Sequence, residues 1–175
     1  MDRFLPSRCG RAAGRRGGFT LVEIMVVVAI ISVLATISVP ALQRVQRKTK
    51  TVSIANDFRV FAAAFDTYAQ EMGTWPAEVA AGVFPPGMDQ RINATQWLRK
   101  TPMGGQYNWE NNQFNLFGTH PAAIAISATV SAPLPFDANM LYDLEHTIDS
   151  PSALGWNTGS FQLGAALVPL FVIQQ

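Results

Sequence analysis

Cysteine is all but missing from this sequence: its 175 residues contain one, Cys9. A lone thiol closes no intramolecular disulfide, so packing and hydrogen bonds must hold whatever folds here. Cys9 also lacks the small-residue context and preceding apolar core of a lipoprotein signal. Histidine is nearly as scarce, and His120 and His146 stand far apart, which leaves no ligand spacing for a zinc site. There is no Gly-rich phosphate loop and no G-x-S-x-G. A trio such as Ser127 or Ser131 with His120 and a carboxylate can be drawn in almost any chain this long, so the sequence reads as no enzyme. Charge is thin, at 14% of residues, and not basic where it would matter. The first eighteen residues hold five Arg and one Asp; the rest carries eight Lys+Arg against eleven Asp+Glu, about −3. Beyond Lys50 the basic residues are Arg59, Arg91, Arg99 and Lys100 alone. That excludes the electrostatic footprint of a nucleic-acid binder.

What is present is one long apolar run. From Phe19 to Leu42 there are 24 residues and a single charge, Glu23. As a helix they cover roughly 36 Å, enough for a bilayer core of roughly 30 Å. The run is too long for a secretory signal, whose apolar core is about 7–15 residues. A carboxylate in hydrocarbon costs about 2.5–3.5 kcal/mol at the centre and less near an end, so Glu23 asks for a partner. Gly17-Gly18 is a small, flexible pair that a protease can bind in extended form. Cleavage after Gly18 would give Phe19 a free α-amine. That amine cannot easily reach the Glu23 of its own helix, but between parallel helices staggered by about one turn the two can meet. The alternative is a generic signal anchor with Glu23 as an interface residue near the headgroups.

The stretch Arg16-Gly17-Gly18-Phe19-Thr20-Leu21-Val22-Glu23-Ile24 resembles the processing site of type IV prepilins and of type II secretion pseudopilins. The resemblance implies removal of residues 1–18 by a prepilin peptidase after Gly18, N-methylation of Phe19, and assembly into a helical filament in which Glu23 contacts a neighbour's terminus. It also implies a type IV pilin-like α+β fold. Many type IV pilins close a C-terminal loop with a disulfide; this chain cannot, which favours a pseudopilin. Leader arginines on the cytoplasmic side would send the head into the periplasm, although Arg44, Arg47, Lys48 and Lys50 after the run oppose that signal. The expected divisions are a removed leader over 1–18, a membrane and filament-core helix over 19–42, its amphipathic continuation over 43–72, and a periplasmic α+β head over 73–175.

Pro40 would kink, unwind or end the helix. The pattern beyond it argues for continuation: Phe58, Phe61, Phe65, Tyr68 and Met72 recur at helical steps on one face. A coiled-coil seam is the alternative use of that stripe. Gly73 and Pro76 then stop the helix, and Met72-Gly73-Thr74-Trp75-Pro76 resembles the turn after the long helix in pseudopilins. Residues 94–100 suggest a turn of helix, and Asn93-Ala94-Thr95 matches a glycosylation pattern by chance. Alternation around Tyr107 and Trp109 predicts a strand, Glu110 to Gln113 a hairpin loop, residues 114–117 a return strand, and residues 122–130 a third, making a meander over the helix stripe. Pro102-Met103-Gly104 loosely resembles the Asp-Pro-Trp-Gly loop of major pseudopilins. Asp137 is the expected N-cap of a short helix presenting Leu141, Leu144 and Ile148. Residues 158–162 and 166–173 suggest closing strands, with Pro169 implying an edge.

Asp137, Asp143, Glu145 and Asp149 are the one carboxylate cluster. Four oxygen donors within thirteen residues suit Ca²⁺, and the resemblance supplies a precedent in major pseudopilins; a solvated acidic helix is the alternative. No other cofactor is expected. The functional expectation is a structural subunit at the inner membrane, polymerising with copies of itself or other pseudopilins through a peptidase and an assembly platform. A tethered binding module that never polymerises is the alternative.

Overall fold

The computed structural model describes residues 18–115, 118–149 and 159–174. The chain divides into two compact units, 1–42 and 43–175, taken separately below.

In the first unit α1 (Leu21–Met72) begins. The Thr20 hydroxyl accepts a hydrogen bond from the Glu23 amide at 3.2 Å, a side-chain cap of the helix start. Along the apolar run, the hydroxyls of Ser32, Thr36 and Ser38 donate to the carbonyls of Val28, Val33 and Leu34 at 2.7–2.9 Å. Each polar group is thus satisfied inside its own helix, as a lipid environment demands. The apolar side chains themselves stay uncovered, and the helix is long and apolar enough to cross a membrane. Pro40 lies within α1 rather than ending it, although it withholds the amide that would bond the Thr36 carbonyl.

The second unit is built on the later turns of α1. Ile54, Phe58, Phe61 and Phe65 are fully buried and Tyr68 partly so, which makes this stretch the cover of a core and not a coiled-coil seam, while Met72 at the end of the expected stripe is exposed. Phe65 stacks on Trp109 with centroids 3.8 Å apart, and Phe61 meets Tyr107 edge-on at 4.9 Å. Gly73, at φ +72°, closes the helix, its amide donating a hydrogen bond to the Ala69 carbonyl. Residues 79–82 then run beside a strand edge: the amides of Val79 and Gly82 donate to the carbonyls of Trp109 and Tyr107. They occupy groups that an edge would otherwise leave open. Asn93 caps α2 (Ala94–Leu98), which is why that triplet holds an asparagine; its side chain accepts from Thr95 and Gln96.

The sheet is antiparallel, with order β1-β2-β4-β3 for β1 (Gln106–Asn115), β2 (Gly118–Ser127), β3 (Phe161–Leu163) and β4 (Pro169–Gln174). Two expectations need correction. Glu110 to Gln113 is no hairpin loop: β1 runs straight through it in register with β2, so one long hairpin replaces the three-strand meander. The Asn111 side chain donates to the Pro76 carbonyl and Gln113 to Glu78, which ties these polar residues to the 76–78 segment instead of turning the chain. Asn112, at φ +56°, is skipped in the ladder opposite Pro121, which has no amide to give. Leu116 and Phe117 lie outside the described residues. The second correction concerns Pro169. It opens β4, an interior strand between β2 and β3, and it lies beyond the β2 ladder, which begins at Leu170.

One face of the sheet gives Tyr107, Trp109, Ile124 and Ile126 to the helix. The other buries a smaller cluster of Ala123, Ala125, Leu170 and Val172. Helix α3 (Ala138–Ile148) starts at the expected cap, with Asp137 accepting from the Met140 amide at 3.2 Å, and buries Leu141 and Leu144.

Candidate functional site

The start of α1 holds the residues on which the expectations for the N-terminal segment rest. Gly18 is exposed, with open space where a Cβ would stand. Phe19 is 78% exposed. Glu23 lies in the first turn, where the amide ends of the helix favour a negative charge, and makes no ion pair among the described residues. The cap at Thr20 therefore presents an exposed phenylalanine and an exposed acid one turn apart at the head of an apolar rod. Thr20-x-x-Glu23 is a capping-box spacing that sequence reading could have caught.

Sequence reasoning missed a second site altogether. Asp57 sits within the buried stripe of α1, 2% exposed. Its Oδ1 accepts from Gln96 Nε2 at 2.7 Å, and its Oδ2 from the Tyr107 hydroxyl at 2.7 Å and from Arg99. One carboxylate thus fastens α1 to α2, to the residue after it, and to β1. The signal was present: position 57 is three after Ile54 and four before Phe61, a core position holding an acid. The bond to Asp57 raises the Arg99 guanidinium further above its ordinary value. Burial above all, then the bond to Asp57, pushes the Tyr107 hydroxyl well up from its ordinary value of about 10.

A hydroxyl whose folded value is raised contributes stability that is complete below the unfolded value and lost as pH climbs past it. Thermal unfolding should therefore show stability falling above about pH 10, as the unfolded chain ionises Tyr107 and the folded chain does not. Tyr107→Phe should lower stability at neutral pH and flatten that alkaline limb. An unchanged slope would show that Tyr107 ionisation does not set it.

The four carboxylates considered for calcium go separate ways. Asp137 caps α3, Asp143 faces Arg47 at 3.8 Å, and Asp149 accepts from the amides of Ser160 and Phe161. No three acidic, His or Cys groups converge among the described residues, and Glu145 adds nothing to such a set. His120 and Ser127 stand near opposite ends of β2, roughly 20 Å apart, so these two do not share a site. Cys9 lies outside the described residues.

An exposed apolar helix that opens on a small-residue junction and an acid, followed by a compact α+β head, defines the pilin-like class of filament proteins. Comparison with known proteins agrees. The family described as prokaryotic N-terminal methylation motif matches residues 14–39. The chain is 39% identical over 64 residues to fimbrial protein EcpC of Eikenella corrodens, spanning 37% of this chain and 42% of that protein. It is 36% identical over 63 residues to type II secretion system core protein G of Pseudomonas aeruginosa, 36% of this chain and 44% of that one. Against core protein G of Escherichia coli K12 it is 31% identical over 99 residues, 53% of this chain and 68% of that protein. The chain belongs to the type II secretion core protein G family of pseudopilins. It spans less than half the length of the Eikenella and Pseudomonas relatives. No solved structure matches it significantly.

Proposed function

We propose that this chain is a structural subunit of a type II secretion pseudopilus or a related pilus-like filament, built through its N-terminal helix. The observation that carries the reading is the uncovered run of α1 up to Leu42, in which Glu23 is the one charged residue, preceded by an exposed Gly18–Phe19 junction. A prepilin peptidase would remove residues 1–18, and Phe19 would be methylated. The subunit would wait in the inner membrane with its head in the periplasm until an assembly platform adds it to the filament. There the Phe19 amine of one copy would neutralise Glu23 of another, giving both charges a partner in hydrocarbon. Pro40, with its missing amide, is where the helix would bend or loosen on packing. The role needs no cofactor and no catalysis, and the work of extraction would come from a separate ATPase.

The junction gives a clean test, because a side chain at position 18 meets nothing in the structure. Gly18→Val should leave the fold unchanged and the leader attached, which mass spectrometry of the membrane-bound protein reads directly. A variant trimmed at Phe19 as efficiently as the parent would remove the junction from the account.

A further inference from the structure

Just beyond the apolar run, α1 and α3 frame an open groove of about 850 Å³. Arg44, Arg47 and Lys48, at helical spacing on one face of α1, form one wall; Tyr142, Asp143 and His146 of α3 line the other. Asp143 is the sole acid in that lining, and it faces Arg47 at 3.8 Å with both side chains partly in water. Such a pair neutralises weakly. Arg44 and Lys48 are exposed and make no ion pair among the described residues. Asp137, in the neighbouring groove with Lys50, is taken up capping α3. On the other side of Lys48 the surface turns apolar, with Val45 and Val52 uncovered.

We infer that this groove holds the phosphate of an anionic phospholipid, with Arg44 and Lys48 on the phosphate oxygens. The inference rests on the reading that residues 19–42 lie in a membrane. Three observations select a lipid. The first lining residue, Arg44, follows Leu42 by two positions, so the site adjoins the end of the apolar run along the chain. Its excess charge is positive, opposite to an anionic headgroup, and basic residues beside a span are worth a severalfold affinity each at such a surface. Tyr142, 55% exposed, packs edge-on against His146 at 4.2 Å, giving the rim an aromatic with a polar tip of the kind that favours the interface. A basic cluster on the far side of a span also weakens the leader's orientation signal, a cost that headgroup binding would account for.

The test weighs the full chain intact by native mass spectrometry from neutral-detergent micelles offered equal phosphatidylglycerol and phosphatidylcholine. The parent should retain phosphatidylglycerol in preference. Arg44→Gln with Lys48→Gln should cut that preference roughly twentyfold, while Arg44→Lys with Lys48→Arg should keep it. Equal retention of both lipids by the parent would overturn the inference. So would full displacement by glycerol 3-phosphate, which would make this a site for free phosphates. A glutamine variant that self-associates less in phosphatidylcholine, with its lipid preference unchanged, would place a second copy in the groove and overturn it as well. A chain that leaves cell membranes without detergent would defeat the membrane reading itself, and the inference with it.

Discussion

Replacing Glu23 with alanine is expected to leave membrane insertion and leader removal intact while abolishing incorporation into filaments. The reason is a balance of two states. In the bilayer the carboxylate costs up to about 2.5–3.5 kcal/mol on insertion scales, so the alanine variant inserts at least as well as the parent. In the proposed filament the same carboxylate would meet the amine of the next copy, and a paired charge in low dielectric is worth far more than one in water. Removing it would strand that amine among apolar side chains, a penalty repeated at every subunit. An assembly repeats one interface many times, so a modest loss per contact removes the polymer rather than weakening it. Sedimentation of sheared filaments against the membrane-bound pool reads the outcome. Glu23→Gln separates charge from shape: it keeps the volume and should also fail. Normal filament yield from either variant would mean that the acid serves only the helix start, where the dipole already favours it.

The second large effect lies in the head. Asp57→Ala should destabilise the full chain in micelles by about 3 kcal/mol, roughly 10 °C in thermal midpoint. Breaking a buried ion pair costs about 3–5 kcal/mol when the surviving charge is trapped. Here Arg99 keeps 41% of its side chain in water and can swing out, so that part is discounted. The Tyr107 hydroxyl has no such escape, being fully buried; orphaning it costs about 1–3 kcal/mol. Adding Tyr107→Phe to Asp57→Ala should therefore recover part of the loss, because the two side chains share one interaction. Strict additivity of the two substitutions would show that they do not.

What could be read in advance follows from which forces act locally. The Phe58–Phe61–Phe65 spacing is a property of the helix alone, and it named the buried face correctly. Asp137 was legible as a cap because capping needs only the next few amides. Glu110 to Gln113 misled because three polar amides in a row look like a turn, and their real partners, Pro76 and Glu78, are more than thirty residues away. Pro169 misled because a proline can open an interior strand if its missing amide falls outside the ladder, which depends on register. Asp57 was passed over for a similar reason: its partners, Gln96, Arg99 and Tyr107, come from two later segments. At the junction, the roles proposed for Gly18, Phe19 and Glu23 rest on the order of residues, and the methylation-motif family match over residues 14–39 covers that stretch.

The proposed contact between copies can be read chemically. Filaments grown from a mixture of ordinary and nitrogen-15-labelled subunits, treated with a zero-length carbodiimide and digested, should yield a peptide in which Phe19 of one isotope is joined by an amide to Glu23 of the other. Filaments that assemble with chains still starting at Met1, or with trimmed chains that give no mixed-isotope Phe19–Glu23 product, would contradict it.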